Sequence, residues 1–181
     1  MNYDMLLNEA LRLPKLVESD PRSPQLLHLL TANTQPLWRE SELAVAVAKL
    51  NIELVEALRK AHGAGQLIRG LESTERTLAA EERGLRMADR QIVVTRGVRI
   101  SRLLILANDG AERFYRNVET ILQRHKPRVL AVLLEIDAIR LGELLFGPGN
   151  IARLVMLNHK QAVSSVLLAM TGDICRVPTA G

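Results

Sequence analysis

The sequence predicts an α plus α/β protein, in which a helical amino-terminal region precedes a small three-layer α/β/α unit. Two observations lead to this prediction. The first is that residues 102–172 repeat one pattern three times, a short unbroken apolar run followed by a polar turn and a stretch with helical spacing. Such runs are typical of strands that are buried on both faces and alternate with helices. We therefore expect a three- or four-stranded, mainly parallel sheet with helices on both faces.

The second observation is that apolar residues in the amino-terminal half recur at helical spacing. Residues 41–61 carry a heptad-like seam, and residues 66–86 continue the helical spacing after a glycine-containing stop at 62–65. An antiparallel helical hairpin is the simplest interpretation. A second apolar stripe widens the face of the first helix, and it consists of Val45, Ala48, Ile52 and Val55. This second stripe predicts that residues 41–86 associate with another copy of the chain or with a protein partner.

Length and composition are compatible with two units. A chain of 181 residues that is 48% hydrophobic can bury one full core and a smaller satellite. We place the helical region at residues 1–86, the α/β domain at 87–172 and a tail at 173–181. Residues 88–101 fit two interpretations, an edge strand that turns near Gly97 or a basic helix.

The α/β half divides into three strand–helix units. Its predicted strands are 103–107, 129–134 and 153–157, and its predicted helices are 114–122, 138–146 and 160–170. Open parallel sheets bind ligands beyond the carboxyl ends of their strands, where polar residues follow each apolar run. The sequence therefore predicts a possible ligand pocket at this edge, formed by Asn108, Asp109, His159 and Lys160.

Catalysis at this edge is the less favoured interpretation. Asp109, His159 and Lys160 could form an acid–base set. However, Asp109, Asp137 and Asn158 each occupy a position where a helix needs an N-cap. The sequence has no phosphate-binding glycine loop after the first strand, no nucleophile–base pair and no metal-ligand spacing. We therefore expect no enzyme activity, no cofactor and no metal.

The charge of the chain is unevenly distributed. Residues 1–82 contain 9 Lys or Arg and 12 Asp or Glu, whereas residues 83–181 contain 15 and 8, which gives balances of −3 and +7. Arginine binds phosphate through a planar fork, so an arginine cluster fits nucleic acid better than a merely soluble surface does. The predicted phosphate contacts are Arg96, Arg99, Arg102, Arg113 and Arg116.

Two motifs resemble the L-seven-Ae superfamily of ribosomal and kink-turn RNA-binding proteins over residues 84–172. They are Leu103-Leu-Ile-Leu-Ala-Asn-Asp-Gly-Ala and Asp137-Ala-Ile-Arg-Leu-Gly-Glu-Leu-Leu-Phe-Gly. The resemblance implies a compact α/β/α sandwich that binds structured RNA. The superfamily's RNA-contacting Gly-x-Asn-Glu-like helix start has two possible placements, at residues 66–73 or within 86–102, where Ala88 or Asp89 would replace the glycine. Neither placement keeps Asn-Glu.

These observations together predict a non-catalytic protein that binds structured RNA through an arginine-rich face of the α/β domain. The alternative is an assembly or regulatory module that acts through the helical half without nucleic acid. Few aromatic residues are present, which disfavours stacking platforms for single strands. No apolar run approaches the roughly 20 residues that span a bilayer, and the first residues do not resemble an export signal, so we expect a cytoplasmic protein. Cys175 is the single cysteine, which excludes an internal disulfide.

Overall fold

A six-stranded mixed sheet organises residues 11–89 and 99–173, which are the residues that the computed structural model describes. The strand order is β1-β2-β5-β4-β6-β3. The strands are β1 (Thr34–Pro36), β2 (Ala44–Ala48), β3 (Leu67–Arg69), β4 (Arg102–Leu106), β5 (Val129–Leu134) and β6 (Leu154–Leu157). The central strand β4 lies between β5 and β6, and its residues 103–106 are completely buried. Full burial of one such leucine or isoleucine contributes about 1.5–3 kcal/mol, so this strand is the centre of the core.

Helices cover both faces of this sheet. They are α1 (Lys15–Glu18), α2 (Ser23–Ala32), α3 (Ile52–Gly63), α4 (Leu71–Asp89), α5 (Glu112–Arg124), α6 (Ala138–Phe146) and α7 (Lys160–Ala169). Leu104 and Leu106 point to one face, where they pack with residues of α4 and α5. Leu103 and Ile105 point to the other face, where α1–α3, α6 and α7 complete the core. The predicted mixed α/β class is therefore confirmed.

The sheet has more strands and more antiparallel pairs than the sequence predicted. Of five strand pairings in the described residues, β2–β5 and β4–β5 are parallel, and the other three are antiparallel. The expectation of a mainly parallel sheet of three or four strands is wrong. The reason is that α6 and residues 147–153 bring the chain back to the carboxyl end of β5, where α6 begins. The Ala152 amide donates to the Ala138 carbonyl at 2.9 Å, and β6 then runs antiparallel to β4.

The prediction of one helix over residues 41–61 is also wrong, because β2 occupies its first third. Val45 faces the α5 side of the sheet and Ala46 faces the other side, so small apolar residues on both faces of the strand resembled a helical stripe. Helix α3 starts later, where the Asn51 side chain caps it by accepting a hydrogen bond from the Leu54 amide at 2.7 Å. The predicted hairpin is therefore a β2–α3–β3 segment followed by α4.

One sheet joins residues from both sides of the predicted boundary at residue 86. Strands β1–β3 lie before that boundary and β4–β6 lie after it. The apolar stripes of residues 41–61 pack mainly into the two cores of this sheet, which removes the main argument for association through residues 41–86. Most of the stretch at 88–101 and nearly all of the tail at 173–181 lie outside the described residues.

Candidate functional site

The predicted pocket at the strand ends is not assembled. In the register of β4 and β6, Leu103 pairs with Leu157 and Leu106 pairs with Leu154. The residues that follow β6 therefore lie at the opposite edge of the sheet from those that follow β4. Asn108 and Asp109 lie at the carboxyl edge of β4, and His159 and Lys160 lie at its amino edge. Asp109 is therefore at the opposite end of β4 from His159 and Lys160, so these three side chains cannot form the acid–base set that the sequence allowed.

The carboxylates at the carboxyl edge of β4 hold the start of α6. Asp109 Oδ1 accepts a hydrogen bond from the Ala138 amide at 2.9 Å, and Asp137 Oδ1 accepts one from the Arg140 amide at 2.7 Å. The prediction that Asp137 is an N-cap is confirmed. Asp109 caps α6 and not the helix that follows it. At the start of α7 the cap is His159, and not Asn158 as predicted, because His159 Nδ1 accepts from the Gln161 amide at 3.3 Å.

The predicted arginine contacts occupy two separate places. Arg99 and Arg102 lie at the amino edge of β4, whereas Arg113 and Arg116 lie in the first turns of α5, beside the carboxyl edge. The neighbouring Tyr115 hydroxyl fixes this position, because it donates to the carbonyl of residue 107 at 2.6 Å. Arg96 is outside the described residues. The predicted arginine-rich face is therefore not one continuous surface.

Arg116 belongs to a structural cluster on α5. It forms an ion pair with Glu112, and its guanidinium lies 4.6 Å from the centre of the Trp38 ring. The Trp38 indole and the Ser41 hydroxyl both donate to the buried carboxylate of Glu119, at 2.5 and 2.9 Å. Burial alone would raise the pKa of Glu119, but these hydrogen bonds together with backbone amides lower it below the ordinary value. This cluster anchors the loop before β2 to α5.

A basic cleft of about 560 Å³ opens at the amino edge of β4 and β5. Four segments contribute cations to its wall, namely α1, the stretch from residue 99 to the first residue of β4, the residue before β5, and the first residue of α7. The cations are Lys15, Arg99, Arg102, Arg128 and Lys160. The other lining residues are Pro14, Leu16, Leu85, Ile100, Ser101 and Ser164. None of the eleven described lining residues is acidic, so the cleft is suited to an anion.

Two arginines of this basic cleft are fixed by one carboxylate behind it. Arg102 Nε and Nη2 donate to Glu81 Oε1 at 3.0 and 2.9 Å, and Arg128 Nη2 donates to Glu81 Oε2 at 3.2 Å. Ser101 adds a second support, because its carbonyl accepts from Arg102 Nη1 at 2.6 Å. The Arg102 and Arg128 side chains are only 17% and 23% exposed. Both guanidinium planes are therefore held in place before any ligand arrives.

The third arginine of the cleft has its own partner. Arg99 Nη1 donates to Glu18 at 2.6 Å and to the Leu13 carbonyl at 2.9 Å. Glu81 and Glu18 are thus the two carboxylates that pair with cleft residues in the described part of the chain. Set against five cations, they leave an excess of three positive charges. This uncompensated charge distinguishes the basic cleft from the capped carboxyl edge.

Of the five cleft cations, the sequence indicated Arg99 and Arg102 as phosphate contacts, placed Lys160 in a pocket at the other edge, and gave no prediction for Lys15 and Arg128. Lys15, Arg128 and Lys160 are distant in sequence and meet only through the fold. One signal was available for Arg128, because it directly precedes the second predicted strand as Arg102 directly precedes the first. Neighbouring parallel strands place such residues side by side, and Arg102 is in register with Val129.

A comparison with models of known protein families gives no match for this chain, and a comparison with curated proteins gives none either. The resemblance of residues 84–172 to the L-seven-Ae superfamily stays a prediction. Across residues 11–89 and 99–173, no cluster of three His, Cys, Asp or Glu side chains could hold a metal ion. No helix in those ranges has both the length and the apolar character needed to cross a membrane.

Proposed function

We propose that this protein binds structured RNA without catalysis and that the basic cleft provides its main phosphate contacts. The single observation that carries the proposal is the convergence of five cations from four segments on one concave surface, where no described lining residue is acidic. Phosphate groups are the anions that arginine forks bind best, since guanidinium offers paired donors in a planar arrangement. We also propose a cytoplasmic location.

The proposed contacts differ in part from those expected from sequence. Arg99 and Arg102 remain contacts, and Lys15, Arg128 and Lys160 join them. Arg113 and Arg116 are left out because they lie beside the opposite edge, where Arg116 is already engaged with Glu112 and Trp38.

The support for nucleic acid over a small acidic metabolite is the distribution of charge beyond the cleft. The balance of +7 over residues 83–181 extends well past the five lining cations. A long polyanion gains from such a distributed field, because each neutralised phosphate releases condensed counterions. The affinity of an RNA ligand should therefore fall with salt, with a logarithmic slope of about −0.7 to −0.9 for each phosphate contact.

The test is a salt titration of RNA binding with one cleft variant and one matched control. Fluorescence anisotropy of a labelled RNA hairpin gives the dissociation constant between 50 and 300 mM KCl. Arg128→Ala should lower the slope of log K against log salt by about one. Arg113→Ala removes the same charge from an exposed position on α5 and should leave the slope unchanged.

Two outcomes would overturn this proposal. One is that the intact protein binds no structured RNA below about ten micromolar, which is within the range of non-specific binding at physiological salt. The other is that both variants lower the slope equally, which would return the contacts to the arginine face predicted from sequence. Purification with and without nuclease adds an independent check, since a bound RNA should co-elute only without nuclease.

A further inference from the structure

The low exposure of the two fixed arginines limits how much of each guanidinium a ligand can reach. The Arg102 and Arg128 side chains have less than a quarter of their surface exposed, and both donate hydrogen bonds to Glu81. A phosphate within an RNA strand is a diester with a nucleotide on each side. A phosphate at a strand end has one neighbour and presents three strong acceptor oxygens. Such a terminal group therefore offers more acceptors to two partly covered guanidiniums than an internal phosphate does.

The charge of the cleft points to the same class of ligand. The five cations exceed Glu81 and Glu18 by three charges. A phosphodiester carries one negative charge, whereas a phosphomonoester carries about −1.5 to −2 at pH 7 and presents three strong acceptor oxygens. Two guanidiniums held side by side can each donate to different oxygens of such a group. The monoester thus matches both the excess charge and the available donors better.

The size and the apolar wall of the cleft leave room for more than the phosphate. Its volume of about 560 Å³ lies within the range of sites that hold small organic ligands. Pro14, Leu16 and Ile100 line one part of it, and Leu16 is 65% exposed. An exposed apolar surface next to a fixed cation pair suits a ligand with an anionic end and a flat, weakly polar body, which is the chemistry of a nucleotide.

We propose that the basic cleft recognises the terminal phosphomonoester of a nucleotide at the end of an RNA strand, with Arg102 and Arg128 as its specificity-determining residues. This inference rests on the proposed RNA binding and adds the part of the RNA that is recognised. Free nucleotides carry the same group, so the experiment must separate the two sources.

The experiment compares three forms of one RNA hairpin that has a short single-stranded overhang. The strand end carries a phosphate, a methyl ester of that phosphate or a hydroxyl, and the set is made for the 5′ end and for the 3′ end. At one end the phosphate form should bind at least about tenfold more tightly than the other two, because the ester removes the second charge and one acceptor. Binding of all forms within about twofold at both ends would overturn the inference.

Three variants test whether the cleft is the source of this preference. Arg128→Ala should abolish the difference between phosphate and ester, and Arg113→Ala should keep it. Arg128→Lys keeps the charge but loses the planar fork, so it should lose most of the preference, and it carries the test if the alanine variant does not fold. A preference that persists in a folded Arg128 variant would overturn the assignment.

The outcomes also separate this inference from the RNA proposal. Equal, Arg128-dependent binding of all hairpin forms would leave RNA binding intact and overturn end recognition. If adenosine monophosphate competes as well as the phosphorylated hairpin, recognition of a phosphomonoester by the cleft is kept, and the RNA proposal fails together with the strand-end part of the inference. If neither the hairpins nor the mononucleotide bind, both fail.

Discussion

The carboxyl edge and the amino edge, at the two ends of the central strand β4, carry charged side chains with different roles. At the carboxyl edge, Asp109 and Asp137 accept hydrogen bonds from backbone amides at the start of α6. At the amino edge, five cations line a cleft, and two carboxylates of the described residues pair with them. The carboxylates of Asp109 and Asp137 are satisfied within the fold, whereas the cations at the amino edge retain charge for an external partner.

This difference shows that a polar residue at a strand end is a weak indication of a site. A helix amino terminus has orphan amide donors, and the nearest carboxylate or amide side chain usually satisfies them. The arginines at the start of β4 also find backbone acceptors, since Arg102 donates to the Ser101 carbonyl and Arg99 to the Leu13 carbonyl. A neutral carbonyl does not compensate their positive charge. Unbalanced charge among neighbours in space is therefore the better criterion, and it requires the fold.

The largest loss of stability that we predict is for a substitution in α6, the helix whose start is held by the carboxylates of the carboxyl edge. At Gly142 on α6, an added Cβ would lie 2.3 Å from the carbonyl oxygen of Asn150, so Gly142→Ala forces the 147–151 loop away from the helix. Overpacking of this kind costs about 1–3 kcal/mol, and contact with backbone places this site at the upper end. Urea unfolding followed by circular dichroism measures the loss.

A glycine in another helix is the matched control for this prediction. Gly84 lies within α4, and an added Cβ there meets no atom within 4 Å. Gly84→Ala should therefore stabilise the protein by about 0.5–1 kcal/mol, because alanine favours the helix. Equal stabilities for the two alanine variants would contradict the close packing of α6 against its loop.

The next largest loss of stability is expected at Glu119, whose buried carboxylate lies on α5. Glu119→Gln keeps the size of the side chain but weakens the hydrogen bonds from Trp38, Ser41 and a backbone amide, and it should cost about 2 kcal/mol at pH 7. The folded pKa of Glu119 is lowered, so its ionised form stabilises the protein above the unfolded pKa, near 4.3.

The pH dependence of this variant checks the sign. The difference in unfolding free energy between wild type and Glu119→Gln should be fully present at neutral pH. It should diminish as the pH falls below about 4.3 and through the lower folded value, where the native carboxylate takes up its proton. A difference that stays constant from pH 7 to pH 3 would contradict the role of the charge. Thermal unfolding across this pH range provides the measurement.

The sequence predicted the strands of the carboxyl-terminal half because their apolar runs are long and interrupted by clear turns. It failed for Ala44–Ala48, where a strand buried on both faces has the same composition as a helical stripe. It also failed for the direction of β6, because strand and helix boundaries do not reveal where a helix returns the chain. The hydrogen bond between residues 152 and 138 determines that direction, and it depends on tertiary packing.

The same limits explain which part of the candidate site could be predicted. A run of arginines leading into β4 is visible in sequence, and it includes Arg99 and Arg102, which line the basic cleft. Lys15 and Lys160 are isolated lysines whose significance depends on α1 and α7 meeting at one edge. The error in the direction of β6 moved Lys160 to the wrong edge in the prediction. One topological mistake therefore both created a false pocket and hid part of a cleft.

A smaller effect is expected from removal of one cap at the carboxyl edge. Asp137→Ala deletes the acceptor for the Arg140 amide and should cost about 1 kcal/mol of unfolding free energy. Asp137→Asn is the matched control, because asparagine caps helices about as well as aspartate does. Neither variant should change the salt slope of RNA binding. A changed slope would mean that this edge also contacts the ligand, and the contrast between the edges would fail.

The smallest stability effect is expected at the amino edge, from Lys160→Ala. Lys160 is exposed at the first turn of α7 and lines the basic cleft, and substitutions of this type usually change stability by less than about 0.5 kcal/mol. Its loss should nevertheless reduce the salt slope of RNA binding by about one, because one phosphate contact disappears. Urea unfolding and anisotropy titrations on the same preparation separate the two quantities. A lower stability with an unchanged slope would show that Lys160 serves the fold, as Asp137 does, and would reduce the excess charge available to a ligand.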